Sequence, residues 1–264
     1  VQSARAMMLR QPFAATELSE VIVGCAAPSP DETNIGRVVG LRIGTGDKVP
    51  AWTVMRNCAS GMQAIDSAIN NIQNGRADLV LAVGTDALSR APLLFKDEMV
   101  DWLSTFNGAR SFGQKLTALK KFKLNYLGPV IGLLKGLTDP VVGISMGQTA
   151  ENLAYKFNIT RTEMDSFSAR SHARSIAAQN QHAFKAELTP VIDAKGALYA
   201  EDDGVRADST VDKLAKLKHV FDRPSGNITA GNSSQVTDGA ACLLLASEEA
   251  VKQWNLKPLG KITA

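Results

Sequence analysis

Short apolar runs alternate along this chain with longer stretches in which apolar positions recur every three or four residues. VIVGCAA at 21–27 is one such run. It ends at Pro28 and Pro30 and reads as a strand entering a loop. NIGRVVGLRIGTG has helical character before its glycines, and WTVM at 52–55 is a second strand candidate. From Gly61 onward, Met62, Ile65, Ile69 and Ile72 recur at spacings of three, four and three, which predicts the apolar face of an amphipathic helix. That helix ends near Asn74 and Gly75, where glycine suits a left-handed C-cap. DLVLAVG at 78–84 has the near-continuous apolar character of a strand covered on both faces. Strand, helix and strand within about 30 residues make a βαβ pattern and favour an α/β domain with layered helices.

The alternation stops after Phe95. Residues 95–143 carry Lys96, Arg110, Lys115, Lys120, Lys121, Lys123 and Lys135 against Asp97, Glu98 and Asp101, with Pro129 and Pro140 near the end. This segment reads as an inserted loop subdomain with one or two amphipathic helices. Its charge fits either a solvated basic surface or contact with an anionic ligand or partner. Helical text resumes at Gln148 to Phe157, and Thr160 with Glu163 three residues on forms the S/T-x-x-E signature of a second helix running toward Gln181. ELTPVIDA suggests a strand interrupted at Pro190, EDDGVRADST an exposed connection, and LAKLKHVF a short helix. GAACLLLA again has the look of a buried strand, and SEEAVKQW starts a helix with Ser247 as cap. No second copy of the central pattern is evident. The expected fold is one mixed-sheet, layered α/β domain elaborated by an insertion.

Composition narrows the function. With 264 residues the chain can bury a sizeable core. A net charge of +3 permits an anionic ligand without requiring one, and 6% aromatics with no basic stripe interleaved among them give nucleic-acid binding little support. Cys25, Cys58 and Cys242 lie far apart and belong to no CxxC or Cys/His cluster, which fits free thiols in a reducing compartment and predicts no metal site. No apolar run approaches the ~20 residues of a membrane-spanning helix.

Cys58 lies where WTVM passes into the helix beginning near Ala59. The free amides and positive dipole end of a helix stabilise an anion, which favours the thiolate and equips it to attack a thioester or other electrophilic carbonyl. The same position also suits an inert buried thiol. Cys25 and Cys242 occupy apolar runs without such a junction and read as core. His172, His182 and His219 form no HxxxH pair and read as surface or satisfied structural histidines. TAGNSSQVTDGA concentrates small and hydroxyl residues before an apolar run, which fits a tight turn or close backbone approach to a ligand with Ser233 or Ser234 hydrogen bonding to it. It is neither GxGxxG nor a Walker sequence.

NCASGMQAIDSAI resembles the active-cysteine segment of thiolases. MGQTAENLA, ITRTEMDSFSARSH and GNITAGNSSQVTDGAACLLLASEEA resemble three further stretches of that family in the same order, so the resemblance covers most of the chain. It implies a partial thiolase N-terminal domain over residues 1–264, with the basic segment at 95–143 similar to the loop domain of the fatty-acid-degrading branch. Cys58 is then the residue that carries the acyl group during thiolytic cleavage of 3-ketoacyl-CoA. The resemblance also implies CoA contacts: Arg206 near the adenine nucleotide end, Ala230 and Ser234 along the pantetheine tunnel, and Met146 near the acyl channel. Lys213 replaces a small residue of some members, where it either meets a CoA phosphate or faces solvent.

CoA and acyl-CoA are implied as substrates, with no tightly bound cofactor. Implied too are homo-oligomerisation of the complete form, a β-oxidation complex partner, and a bacterial cytoplasmic or mitochondrial setting. The family places further catalytic groups in GxHP, NEAF and CxGGG stretches of a second domain, and opens on a strand followed by R-T-P-F. None of these occurs here, so the expectation is a partial chain with little activity alone. The open alternatives are a biosynthetic acetoacetyl-CoA thiolase and a noncatalytic acyl-CoA-binding or assembly protein. A ketoacyl synthase would show two catalytic histidines and a different cysteine neighbourhood.

Overall fold

The computed structural model describes residues 1–263. The chain passes through α1 (Gln2–Leu9), β1 (Glu20–Gly24), α2 (Ile35–Ile43), β2 (Ala51–Val54), α3 (Ser60–Gln73) and β3 (Leu79–Ala87). It continues through β4 (Leu93–Leu94), α4 (Asp97–Gly108), α5 (Phe112–Lys120), β5 (Val130–Ile131), α6 (Gly132–Gly136), α7 (Met146–Lys156) and α8 (Arg161–Asn180). Then come β6 (Val191–Ile192), β7 (Leu198–Tyr199), α9 (Val211–Leu214), β8 (Asp238–Ala246) and α10 (Glu248–Gln253). The residues group into two compact units: Val1–Ser89 with Arg170–Ser209 and everything from Gln235 onward, and Arg90–Ala169 with Thr210–Ser234.

The first unit is built on a mixed four-stranded sheet of order β2-β1-β3-β8. β1 runs parallel to both β2 and β3, with Val21 opposite Ala51 and Leu81, while β8 pairs antiparallel with β3, Val83 opposite Cys242. Strand side chains alternate between faces, and the core divides accordingly. Val21, Val23, Leu79, Leu81 and Val83 join Ala4, Met8, Phe13, Val39 and Ala250 on one face, where α1, α2 and α10 contribute. Ile22, Val80 and Ala82 meet Ala64 and Ala68 of α3 on the other. Both faces of β1 and β3 are covered, which is why these strands read as continuous apolar runs. The layered mixed-sheet α/β class expected from the sequence is the one observed.

Four local expectations change. The buried face of α3 is not the Met62–Ile72 stripe but Ser60, Ala64 and Ala68; Met62 is 68% exposed, and Ile65 and Ile72 pack at the margin of the same core. Small residues occupy the deepest positions because the helix approaches the sheet closely: a Cβ on Gly24 of β1 would overlap the Ser60 carbonyl oxygen. GAACLLLA is not fully buried either. Among the described residues β8 has a strand partner on one side only, and Leu243 is 51% exposed, so β8 is an open sheet edge. Finally, β1 stops at Gly24, one residue before Cys25, and the helix expected at LAKLKHVF is the shorter α9 just upstream, with the Thr210 hydroxyl accepting from the Lys213 N–H.

In the second unit β4 and β5 pair antiparallel, and capping boxes at Ser111/Gln114 and Ser145/Gln148 open α5 and α7. The expected Thr160/Glu163 box is present at the start of α8: the Glu163 carboxylate accepts from the Thr160 N–H and hydroxyl, each at 2.8 Å. Trp102 of α4 stacks on Phe106 of the same helix and meets the edge of Phe122, which follows α5.

Candidate active site

Cys58 is exposed in the turn between β2 and α3, two residues ahead of the first helical residue. The turn is knit around Ser60, whose hydroxyl donates to the Asn57 carbonyl at 2.6 Å and accepts from the Arg56 N–H at 2.8 Å. Asn57 takes a left-handed φ of 47°, a conformation that asparagine tolerates better than most residues. Arg56 reaches forward to Gln63 at 2.8 Å. Ser60 is buried and Cys58 is not, so the turn spends its hydrogen bonds on holding shape and leaves the sulfur presented at the positive end of a 14-residue helix.

The helix start is fixed from below by glycine. A Cβ at Gly24, the last residue of β1, would overlap the Ser60 carbonyl and the Gly61 nitrogen. Gly24→Ala is expected to push the start of α3 outward, lowering stability by about 1–3 kcal/mol and slowing alkylation or acylation of Cys58. Urea unfolding and a labelling time course check the two effects separately.

The other two thiols differ. Cys25 is buried, and its S–H points to Asp86 Oδ1 at 3.5 Å, while the same carboxylate accepts from the Ala26 and Ala27 N–H groups at 3.0 and 2.8 Å. Burial, and then the negative charge of Asp86, push the Cys25 thiol from 9.0 up to about 11. Burial also raises the Cys242 thiol. At neutral pH iodoacetamide is therefore expected to modify Cys58 well before Cys25, as peptide mass spectrometry would show. Linkage gives a second expectation. From pH 9 toward 11 the unfolded chain releases the Cys25 proton while the folded chain keeps it, so stability falls with rising pH across that window. Cys25→Ala should flatten this part of the profile in urea titrations.

Arg206, also in the first unit, is exposed; its N–H donates to Nδ1 of His172 at 3.2 Å, which gives that histidine a structural partner. His219 departs from the satisfied state expected of it: its Nδ1 is buried with no hydrogen-bond partner among the described residues.

Met146, Ala230 and Ser234 belong to the second unit. Met146 is the first residue of α7 and is 46% exposed. The Phe221 ring occupies the space that a side chain at Gly147 would need, so an exposed aromatic lies over the start of this helix. The sequence reading missed Phe221; its signal was the glycine directly after Met146.

Ala230 and Ser234 are exposed on the loop after Gly226, and that loop is shaped by buried polar groups. The Glu151 carboxylate of α7 accepts from the Asn227 and Ile228 N–H groups at 2.8 and 2.9 Å. Asn232 accepts from the Thr229 N–H at 2.8 Å and donates to Asp165 at 3.1 Å and to the Asn227 carbonyl at 2.9 Å. Ser233, one of the two candidate ligand-binding hydroxyls, donates to the Thr229 carbonyl at 2.7 Å, so its hydroxyl serves the loop itself. The structure thus groups Ala230 and Ser234 on one polar loop tied to α7, the helix that Met146 opens. Cys58 and Arg206 lie in the other unit.

Comparison with known proteins gives these features a family. The family model described as "Thiolase, N-terminal domain" matches residues 2–249. A 3-ketoacyl-CoA thiolase of Pseudoalteromonas translucida is 34% identical over 97% of this chain and 58% of its own length. A beta-ketoadipyl-CoA thiolase of Acinetobacter baylyi is 38% identical over 94% of this chain and 59% of its own length. The crystal structure of human mitochondrial 3-ketoacyl-CoA thiolase in complex with CoA superposes with a TM-score of 0.82 at 33% identity, covering 98% of this chain and 60% of the human one. The chain therefore spans somewhat under two thirds of the proteins it matches. The family match along nearly all of its length and the shared fold lead to one conclusion: this chain belongs to the thiolase family.

Proposed function

We propose that the chain carries the acyl-accepting part of a thiolase, an acyl-CoA C-acyltransferase, with Cys58 as the nucleophile. The observation that carries this reading is an exposed thiol held by a rigid turn at the start of a long helix, with the other two thiols raised by burial. In the degradative direction the Cys58 thiolate attacks the 3-keto carbonyl of a 3-ketoacyl-CoA. The bond between the α and β carbons breaks, its electron pair leaves on the acetyl-CoA carbon, and a proton from an acid outside the motifs of this chain completes acetyl-CoA. The shortened acyl group stays on sulfur as a thioester, and the thiol of a second CoA attacks it to release acyl-CoA and return the cysteine.

In this reading Arg206, Met146, Ala230 and Ser234 serve CoA as a substrate that comes and goes. The exposed Arg206 guanidinium suits a phosphate or a stacked base, and the small Ala230 and the Ser234 hydroxyl suit the amide-bearing pantetheine arm. Residues 95–143 are the loop subdomain of the N-terminal domain. The 3-ketoacyl-CoA thiolase relatives, one of them crystallised with CoA, support the degradative substrate class, and the bacterial relatives support a bacterial source; a cytoplasmic, homo-oligomeric whole protein is part of the same proposal. Intact-protein and peptide mass spectrometry after exposure to acetyl-CoA tests the proposal. One acetyl group on the Cys58 peptide is the expected result; no adduct, or one confined to Cys25 or Cys242, overturns it.

A further inference from the structure

The connection between β7 and α9 forms no helix or strand, yet within the first unit side chains pin its backbone at successive points. The Gln179 amide of α8 donates to the Asp202 carbonyl at 3.0 Å, and the Gln235 amide donates to the Gly204 carbonyl. At Arg206 both main-chain groups are engaged. Its N–H donates to Nδ1 of His172 on α8 at 3.2 Å, and its carbonyl accepts from the Ser209 N–H at 3.3 Å. The side chain of Arg206 is treated differently. Asp202, Asp203 and Asp208 lie within four residues of it in the chain, but the exposed guanidinium has no hydrogen-bond or ion-pair partner among the described residues. The fold thus fixes where this arginine is rooted and leaves its charged end open to an anion from outside. Of the side chains that pin the connection, the two glutamines donate to carbonyls, whereas His172 accepts, and it does so from the arginine itself.

We propose that His172 is a positioning residue for CoA: by accepting the Arg206 N–H it holds the root of the guanidinium where the phosphates at the nucleotide end of CoA arrive. The inference rests on the reading of Arg206 as a CoA contact given above. A loop already held in its binding form has less conformational freedom to lose when the ligand docks, so the hydrogen bond is felt as affinity even though His172 acts only through Arg206. An imidazole nitrogen accepts only when it carries no proton, and no other atom of the side chain can take its place. Asparagine can: its Oδ1 stands the same number of bonds from Cα as Nδ1 of histidine and is an acceptor too. The pair His172→Ala and His172→Asn therefore separates the hydrogen bond from the presence of a ring.

The test compares the rate at which Cys58 is acetylated by subsaturating acetyl-CoA and by S-acetylpantetheine, a donor without the nucleotide. Arg206→Ala is expected to slow labelling by acetyl-CoA at least about tenfold, and His172→Ala about fivefold, the worth of one ordinary hydrogen bond. His172→Asn should recover most of that loss. Labelling by S-acetylpantetheine should be the same in all four proteins. Independently of any ligand, hydrogen exchange at the Arg206 amide should quicken in His172→Ala and stay slow in His172→Asn. If Arg206→Ala slows labelling by acetyl-CoA while His172→Ala does not, the inference is overturned and the CoA reading of Arg206 stands. It is also overturned if His172→Asn is as slow as His172→Ala, if His172→Ala slows both donors alike, or if exchange at the Arg206 amide ignores both substitutions. No labelling of the unaltered chain, or labelling by acetyl-CoA indifferent to Arg206→Ala, overturns the underlying reading and this inference together.

Discussion

Replacement of Cys58 by alanine is expected to abolish acyl transfer from acyl-CoA to the chain, a loss of at least ~10³-fold in labelling rate. Nothing nearby can substitute for it. Cys25 is buried with its proton held up to about 11, and Cys242 is raised by burial within β8. Cys58→Ser separates nucleophilicity from shape. Serine fills the same space in the turn, whose hydrogen bonds involve the Arg56, Asn57 and Ser60 groups and not the sulfur. The fold should therefore be unchanged by urea unfolding while labelling falls nearly as far as in the alanine variant. Full labelling of Cys58→Ser would instead mean that the turn, and not the thiol, governs transfer. Both measurements use acetyl-CoA and peptide mass spectrometry, with unfolding curves run on the same preparations.

The second large effect concerns stability. Asp165 is 1% exposed, receives the Arg161 Nε–H at 2.7 Å and the Asn232 amide at 3.1 Å, and stands at the centre of the loop network. The same guanidinium donates to the Leu214 carbonyl at 2.6 Å, so one ion pair joins α8, α9 and the loop bearing Ala230 and Ser234. Asp165→Ala leaves Arg161 with a backbone partner but no anion, and leaves the Asn232 amide short of one acceptor. The expected cost is about 3 kcal/mol, the lower end for breaking a buried pair because Arg161 retains some solvent contact. The midpoint of urea unfolding should drop with little change in slope. Arg161→Ala combined with Asp165→Ala should cost less than the two single changes added together, because the second removes a group the first has already orphaned.

What the sequence made legible follows from range. The βαβ unit was readable because each strand is a local apolar run and the helix between them has a short period. The caps at Thr160 and Ser247 were readable because a cap needs only three or four residues. The four thiolase-like blocks carried the family, and with it Cys58. The deepest face of α3 was not readable: Met62, Ile65, Ile69 and Ile72 form the better apolar stripe by composition, yet closeness to the sheet selects Ala64 and Ala68, and closeness is a property of β1 and β3. The partial exposure of β8 was hidden for a similar reason, since a run such as GAACLLLA does not say how many neighbours a strand will have. Glu151 and Asp165 were missed because their partners on the 226–234 loop lie 76 and 67 residues away. Ser233 looked like a ligand hydroxyl until the Thr229 carbonyl claimed it.

The seat of α3 on the sheet has a consequence for how this protein should be probed. Gly24 places the helix start, and so Cys58, by having nothing there to remove. A survey that trims side chains one by one would pass over this position and conclude that the nucleophile is positioned by Ser60 and Arg56 alone. The constraint becomes visible only in the opposite experiment, where bulk is added at Gly24 in single-carbon steps and the reactivity of the Cys58 sulfur is followed.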